Sequence, residues 1–176
     1  MQLHCLVNAF ALRAESPSRA EQFERVSAEQ HGSCESSFFE LLQQTRSGME
    51  AAEVARRLLE WGRRYGDRIA WGAGKTTGSF TPVLRGPSGM DYYPFTVYSY
   101  GKVEIQFQHI KPRAPFDDEG VRRELLAVLN RVPGVQFPAD SIDKRPSIPL
   151  VDLLSEAPWS AFQQVLAWFT RKLEVG

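Results

Sequence analysis

The sequence predicts an α+β domain, an antiparallel β-meander of three to four strands packed against three helices, behind a poorly ordered N-terminal tail. Three observations carry this reading. Residues 47–66 form a strongly amphipathic helical run. Val103, Ile105 and Phe107 alternate with Lys102, Glu104, Gln106 and Gln108, the period of two of a strand with one buried face. The remaining helical stripes follow the strands in a block instead of alternating with them, which is the order of α+β and not of βαβ units.

At 176 residues the chain holds one ordinary domain of about 100–150 residues plus a tail. Residues 1–34 are read as that tail, because 14–37 are rich in Ser, Glu and Gln with Phe23 and Val26 as their only large apolar side chains. Residues 35–176 are read as the domain. Phe38, Phe39, Leu41 and Leu42 suggest a short helix ending at Ser47-Gly48. Ser47 followed by Glu50 is a capping-box pattern that opens the amphipathic helix. Its Ala51, Ala55, Leu58, Leu59 and Gly62 fall on one face, with Arg56, Arg57, Glu60, Arg63 and Arg64 on the other, and Gly66 as a left-handed stop.

Strand-like pieces follow at 68–71, 79–84, 95–100 and 102–110, separated by Gly and Pro. Tyr100-Gly101 reads as a two-residue hairpin turn. Asp117 is placed as the cap of the next helix, with Phe116 stapled onto Val121 and a buried stripe of Val121, Leu125, Val128, Leu129 and Val132. Residues 133–154 read as an irregular crossing, and Ser155 or Pro158 opens a final helix with Trp159, Phe162, Val165, Leu166, Phe169 and Leu173 on one side.

Lys plus Arg equal Asp plus Glu at 21 each, so no global field draws the chain to nucleic acid or a membrane. The distribution is uneven: residues 56–113 carry 10 basic and 4 acidic side chains, a local excess of six. No stretch approaches the roughly 18 apolar residues of a membrane span, and Met1 to Ala14 lack the basic start of a signal peptide. Two cysteines, Cys5 and Cys34, make no disulfide framework. A cytoplasmic protein without a membrane partner is expected.

Several motifs resemble chemistry without completing it. Gly72-Ala73-Gly74-Lys75-Thr76 ends like a phosphate-binding loop, but Ile69 stands where its first glycine belongs, and Gly78 and Pro82 follow where its helix should run. It reads as a turn between strands. A Mg²⁺-dependent nuclease of the restriction-endonuclease type would need an Asp and a Glu on one cation and a Lys two residues past the Glu. Asp91 and Glu104 imitate the pair, with Glu53 as a further carboxylate, but Gln106 replaces the Lys. A two-residue turn at Tyr100-Gly101 pairs residue i with 201 − i, which sets Asp91 opposite Ile110, about 20 Å from Glu104 at roughly 3.3 Å per residue. His109 is read as a structural strand-end histidine, and Asp117-Asp118-Glu119 as acidic residues favoured by a helix N-terminus.

The pattern that remains is basic and aromatic. Arg56, Arg57, Arg63, Arg64, Lys75 and Lys102, with Trp71, are the candidate contacts, supported by Arg85, Lys111 and Arg113 and by Tyr92, Tyr93, Tyr98 and Tyr100. Guanidinium groups hold phosphates and flat rings stack on bases. The same residues also read as the wet side of a helix and the core of a sheet.

Trp71-Gly72-Ala73-Gly74-Lys75, Gly78 to Pro82, Pro115-Phe116-Asp117, Pro133-Gly134-Val135 and Arg145 to Leu150 resemble an uncharacterised bacterial domain. That domain occurs in the C-terminal part of larger proteins, some with endonuclease-type modules. The resemblance covers residues 49–173, and its motifs are turns and packing corners, so it implies a leaning toward nucleic acid and no catalytic residue. The expected function is a non-catalytic interaction module without a cofactor, binding nucleic acid or phosphate through residues 56–113. The alternatives are a Mg²⁺ nuclease using Asp91, Glu104 and Glu53, and a domain that docks another protein.

Overall fold

A computed structural model describes residues 34–73 and 77–175. The tail reading of 1–34 therefore lies almost wholly outside the described residues, as does Lys75. Helix α1 spans 34–43 and α2 spans Gly48–Tyr65. Strands β1 (Arg68–Ala73), β2 (Gly78–Arg85), β3 (Asp91–Tyr92), β4 (Phe95–Tyr98) and β5 (Lys102–Ile105) follow. After them come a single helical turn α3 (Phe107–Ile110), helix α4 (Glu119–Leu129), strand β6 (Ser147–Pro149) between 3-10 turns at Ala139–Asp143 and Leu150–Leu153, and helix α5 (Glu156–Val175).

The sheet is antiparallel, in the order β1-β2-β4-β5-β6, with β3 as a spur on β2. Four of these strands form the expected meander. β6 was missed because three residues ending in a proline carry no periodicity, yet Ile148 opposite Val103 extends the buried face by one strand. Register assigns the faces. Ile69, Trp71, Phe80, Pro82, Phe95, Val97, Val103 and Ile105 point inward, against α2 and α5, while Ala70, Thr81, Thr96 and Glu104 form a row on the opposite, outer face.

Close approach explains how α2 seats on this sheet. A Cβ on Gly62 would lie 2.8 Å from both Ile69 and Pro82 side-chain atoms, so the helix backbone lies almost directly on the β1–β2 ladder. Gly66 ends the helix for a related reason and not as a left-handed cap: its φ of −92° is extended, and a Cβ there would lie 2.6 Å from the Gly62 carbonyl oxygen. The Ser47 side chain makes no capping hydrogen bond either. The turn from α1 brings the chain in with backbone bonds, Gly48 N–H donating to Thr45 O at 3.1 Å and Ala51 N–H to Ser47 O at 2.9 Å.

Other local expectations are corrected as well. The β4–β5 hairpin has three loop residues, Ser99, Tyr100 and Gly101, with Tyr98 opposite Lys102 and Gly101 at φ 87°. The register is therefore 200 − i, the geometry of a turn closed by a left-handed glycine bulge. The second strand stops at Ile105. Gln106 leaves the β region (φ −92°, ψ 49°), and its carbonyl accepts from the N–H groups of His109 and Ile110, starting α3; His109 is thus a helical residue and exposed. Asp118, not Asp117, caps α4 by accepting from Gly120 N–H, and the Phe116 ring stacks on Phe169 of α5 at 4.6 Å. The final helix buries Phe162, Val165, Leu166, Phe169 and Leu173 as its stripe requires.

Candidate functional site

The four α2 arginines do not form one patch. At 100° per residue, Arg57 and Arg64 share one flank of the helix while Arg56 and Arg63 share the other. The second pair faces α1: the Arg56 guanidinium lies 5.0 Å over the Phe39 ring, and Arg63 is paired with Glu35. The first pair borders a groove of about 550 Å³ between α2 and α5.

Aromatic rings wall this groove. Trp61, one turn beyond Arg57, packs against Phe95 of the core at 5.6 Å and against Tyr65 at 5.5 Å, so its ring is held from behind while its other side borders the groove. Trp159 stands opposite on α5, with the Arg57 guanidinium 5.4 Å over its ring. Arg64 lies 5.5 Å over Tyr65, and no carboxylate pairs with it among the described residues. Arg57 shares its charge with Glu53 in an exposed pair along the helix, a contact that a ligand phosphate can displace at little cost. Gln163, Ala167 and Thr170 line the α5 side. Beyond Tyr65 a second hollow of about 370 Å³ has Asp67 and Glu174 against Arg85 in its wall, so negative charge outweighs positive at that end.

Trp61, Tyr65 and Trp159 were not among the expected contacts. The signal was in the sequence: Arg57, Trp61, Arg64 and Tyr65 are spaced four, three and one apart, the spacing of one helical stripe. What no spacing supplies is the opposing wall, because Trp159 lies about a hundred residues away.

The other expected contacts lie elsewhere. Trp71 faces inward, 6.0 Å from Phe38 and 5.6 Å from Phe80. Lys102 is exposed on the sheet face opposite α2. Lys111 bonds Asp143 at 2.8 Å, Arg113 donates to the His109 carbonyl, and Tyr92 is buried with its hydroxyl on the Ala114 carbonyl. Tyr98 and Tyr100 stack at 4.9 Å beside the hairpin turn; burial, then the Glu104 charge, raises the Tyr98 phenol above its usual range.

The structure also separates the nuclease carboxylates, by a route different from the one expected. Asp91 belongs to β3 and stands opposite Arg85, not Ile110. Glu104 stands opposite Thr96, in the row of Thr81. Arg85 and Thr81 are four residues apart on β2, about 13 Å along the strand, and Glu53 is on α2 with Arg57. Asp91 is bound by Arg68 at 2.7 Å with Arg85 at 3.6 Å, and Glu104 accepts from Gln106 at 3.0 Å with Arg145 at 3.7 Å. Among the described residues no three His, Cys, Asp or Glu side chains group as metal ligands.

The Asp91 pair predicts an acid-sensitive join between β1 and β3. The hydrogen bond from Arg68, followed by the nearby positive charges, lowers the Asp91 carboxyl below its ordinary value. A carboxyl lowered in the folded state contributes stability above its unfolded value near 3.9, and that contribution disappears as the pH falls through the lower folded value. Urea midpoints measured from pH 6 down to pH 2 are expected to fall less steeply for Asp91→Asn than for the parent; parallel curves would show that the pair contributes nothing.

No helix among the described residues is long and apolar enough to cross a membrane. No protein family, curated protein or solved structure matches this chain.

Proposed function

We propose that the domain is a non-catalytic binding module that holds a single strand of nucleic acid in the α2–α5 groove, with phosphates on Arg57 and Arg64 and a base against Trp61, Tyr65 and Trp159. The observation that supports this most is the pairing of two arginines with three rings in one groove, whose wall holds a single carboxylate, that of Glu60, against them. Its volume of about 550 Å³ suits a ligand unit of nucleotide size. Unpaired bases fit the chemistry better than a duplex, since rings can stack only on a base that is not already stacked within a helix. The excess of acidic residues beyond Tyr65 repels phosphate, which limits the contact to about two charges. A cytoplasmic location belongs to the same proposal, as does the resemblance to the bacterial domain with the leaning toward nucleic acid that it implies.

The test uses fluorescein-labelled eight-nucleotide DNA and RNA strands, with quenching of tryptophan emission as a second signal. Two neutralised phosphates give a salt slope, log K against log [salt], of about −1.4 for a single strand. Arg57→Gln with Arg64→Gln is expected to weaken binding at least tenfold and flatten that slope. Arg56→Gln with Arg63→Gln, on the other flank of the same helix, is expected to leave both unchanged. Equal losses from the two pairs, or binding indifferent to salt, would overturn the groove assignment; no binding to either strand would leave a protein partner as the reading to pursue.

A further inference from the structure

The two edges of the sheet are built differently. At one, β6 is three residues long and ends on Pro149, which has no N–H to offer a further strand. At the other, β1 is six residues long with neither proline nor lysine, and its one charge, Arg68, is drawn to Asp91 at 2.7 Å. Among the described residues β1 pairs with β2 and with no other strand.

Register tells which backbone groups of β1 are left over. Directly opposed residues of an antiparallel pair alternate between those that exchange hydrogen bonds and those that do not. Pro82 has no N–H and stands opposite Ile69. The Gly78 carbonyl, opposite Ala73, is turned to the β4 side, where it accepts from Ser99 N–H at 2.9 Å. The bonds to β2 therefore belong to Arg68, Ala70 and Gly72. The N–H and C=O groups of Ile69 and Trp71 point away from the sheet, and no turn or loop backbone among the described residues bonds them. Such a row is a template for one more strand.

The sequence holds a segment that suits this place. Leu3 to Leu12 contains no Asp, Glu, Lys, Arg, Gly or Pro, and its Leu3, Leu6, Val7, Phe10 and Leu12 are apolar side chains that gain from cover. The described chain starts at Cys34 beside the same edge: Glu35 pairs with Arg63 in the last turn of α2, and the Phe38 ring lies 6.0 Å from that of Trp71. Residues 13–33, which join the two, span up to about 70 Å when extended, against about 20 Å for the whole of β1. We propose that residues 3–12 add a strand to β1 of the same chain, their backbone bonding Ile69 and Trp71 and alternate apolar side chains lying beside those two on the inner face. The proposal does not depend on the groove.

The test is amide hydrogen exchange in the full chain, read residue by residue by NMR, with Ala70 and Gly72 as internal standards because β2 already holds their N–H groups. The Ile69 and Trp71 amides are expected to exchange as slowly as those two, at every protein concentration. Leu6→Pro with Ala9→Pro sets one proline at an even and one at an odd position, so that in either register an N–H on the bonding side is lost. In that variant Ile69 and Trp71 are expected to exchange at least tenfold faster, while Ala70, Gly72 and the β4 and β5 amides keep their rates and so report an intact sheet. Fast exchange of Ile69 and Trp71 in the parent chain would overturn the proposal, as would protection that survives both prolines. Protection that survives them and rises with concentration would refute it in favour of a second copy on the same edge.

Discussion

Replacing Arg122 with alanine is expected to lower the stability of the domain by about 4 kcal/mol, read as a fall in the urea midpoint. Sequence periodicity sets this residue on the exposed side of α4, yet it is 4% exposed. Its guanidinium turns back over the start of the helix. Nη1 donates to the carbonyls of Phe116 at 2.7 Å and Asp117 at 2.8 Å, tying down the segment that carries the Phe116 ring onto Phe169. Truncation leaves two inward carbonyls without donors and a void where the side chain lay. Arg122→Lys is expected to recover only about half, because an ammonium on a single stem cannot reproduce the planar fork. Asp143, at 3.8 Å and half exposed, is a weak partner, so Asp143→Asn is expected to cost far less than Arg122→Ala. A loss below 1 kcal/mol for Arg122→Ala would show that the carbonyls are served by water and that the arginine holds nothing in place.

The second large effect is expected at the corner between α1 and α2. A Cβ on Gly48 would lie 2.5 Å from the Leu42 carbonyl oxygen and 2.6 Å from the Gln43 Cα. Those are backbone atoms, so no rotamer change relieves the clash and α1 must move as a body. That helix buries Phe38 and Leu42, and fully burying such side chains contributes about 1.5–3 kcal/mol each. Gly48→Ala is therefore expected to cost about 3 kcal/mol, through α1 more than through the sheet. Hydrogen exchange distinguishes the two: amides at 35–43 should exchange much faster while those of β4 and β5 keep their protection. Unchanged exchange in α1 would mean that the corner has room for a methyl group.

The helices were legible wherever one face is apolar over several turns. The α5 stripe from Phe162 to Leu173 and the α2 stripe from Ala51 to Gly62 are buried as their periodicity demands. The strands were legible in β5 and β2 but their ends were not, because a strand's limit depends on its neighbour. Lys102 to Ile110 alternates beyond Ile105, and only the Gln106 side chain, tied back to Thr96 and Glu104, turns the chain into α3. Caps failed for the same kind of reason: Ser47 and Gly66 have the right residue types, but the turn from α1 and the closeness of the Val83 carbonyl set the backbone there.

Of the candidate site, the sequence named Arg57 and Arg64 but grouped them with Arg56, Arg63, Trp71 and Lys102. The structure regroups them, because a helix sends arginines one residue apart to flanks 100° apart, and alternation in the sheet sends Trp71 into the core and Lys102 to the far face.

By itself, then, the amino-acid sequence determined the α+β class, the amphipathic faces of α2 and α5, and the local basic excess, since each depends on residues close together along the chain; on α4 the expected stripe shifts, with Arg122 and Leu126 buried and Val121 and Val128 only partly so. Only the tertiary structure decided that Trp159 faces Arg57 across a groove, that Asp91 meets Arg68 and Arg85 and not Glu104, and that Thr81, Thr96 and Gln106 share one network. Each of those depends on register and packing between distant segments, which local periodicity does not encode.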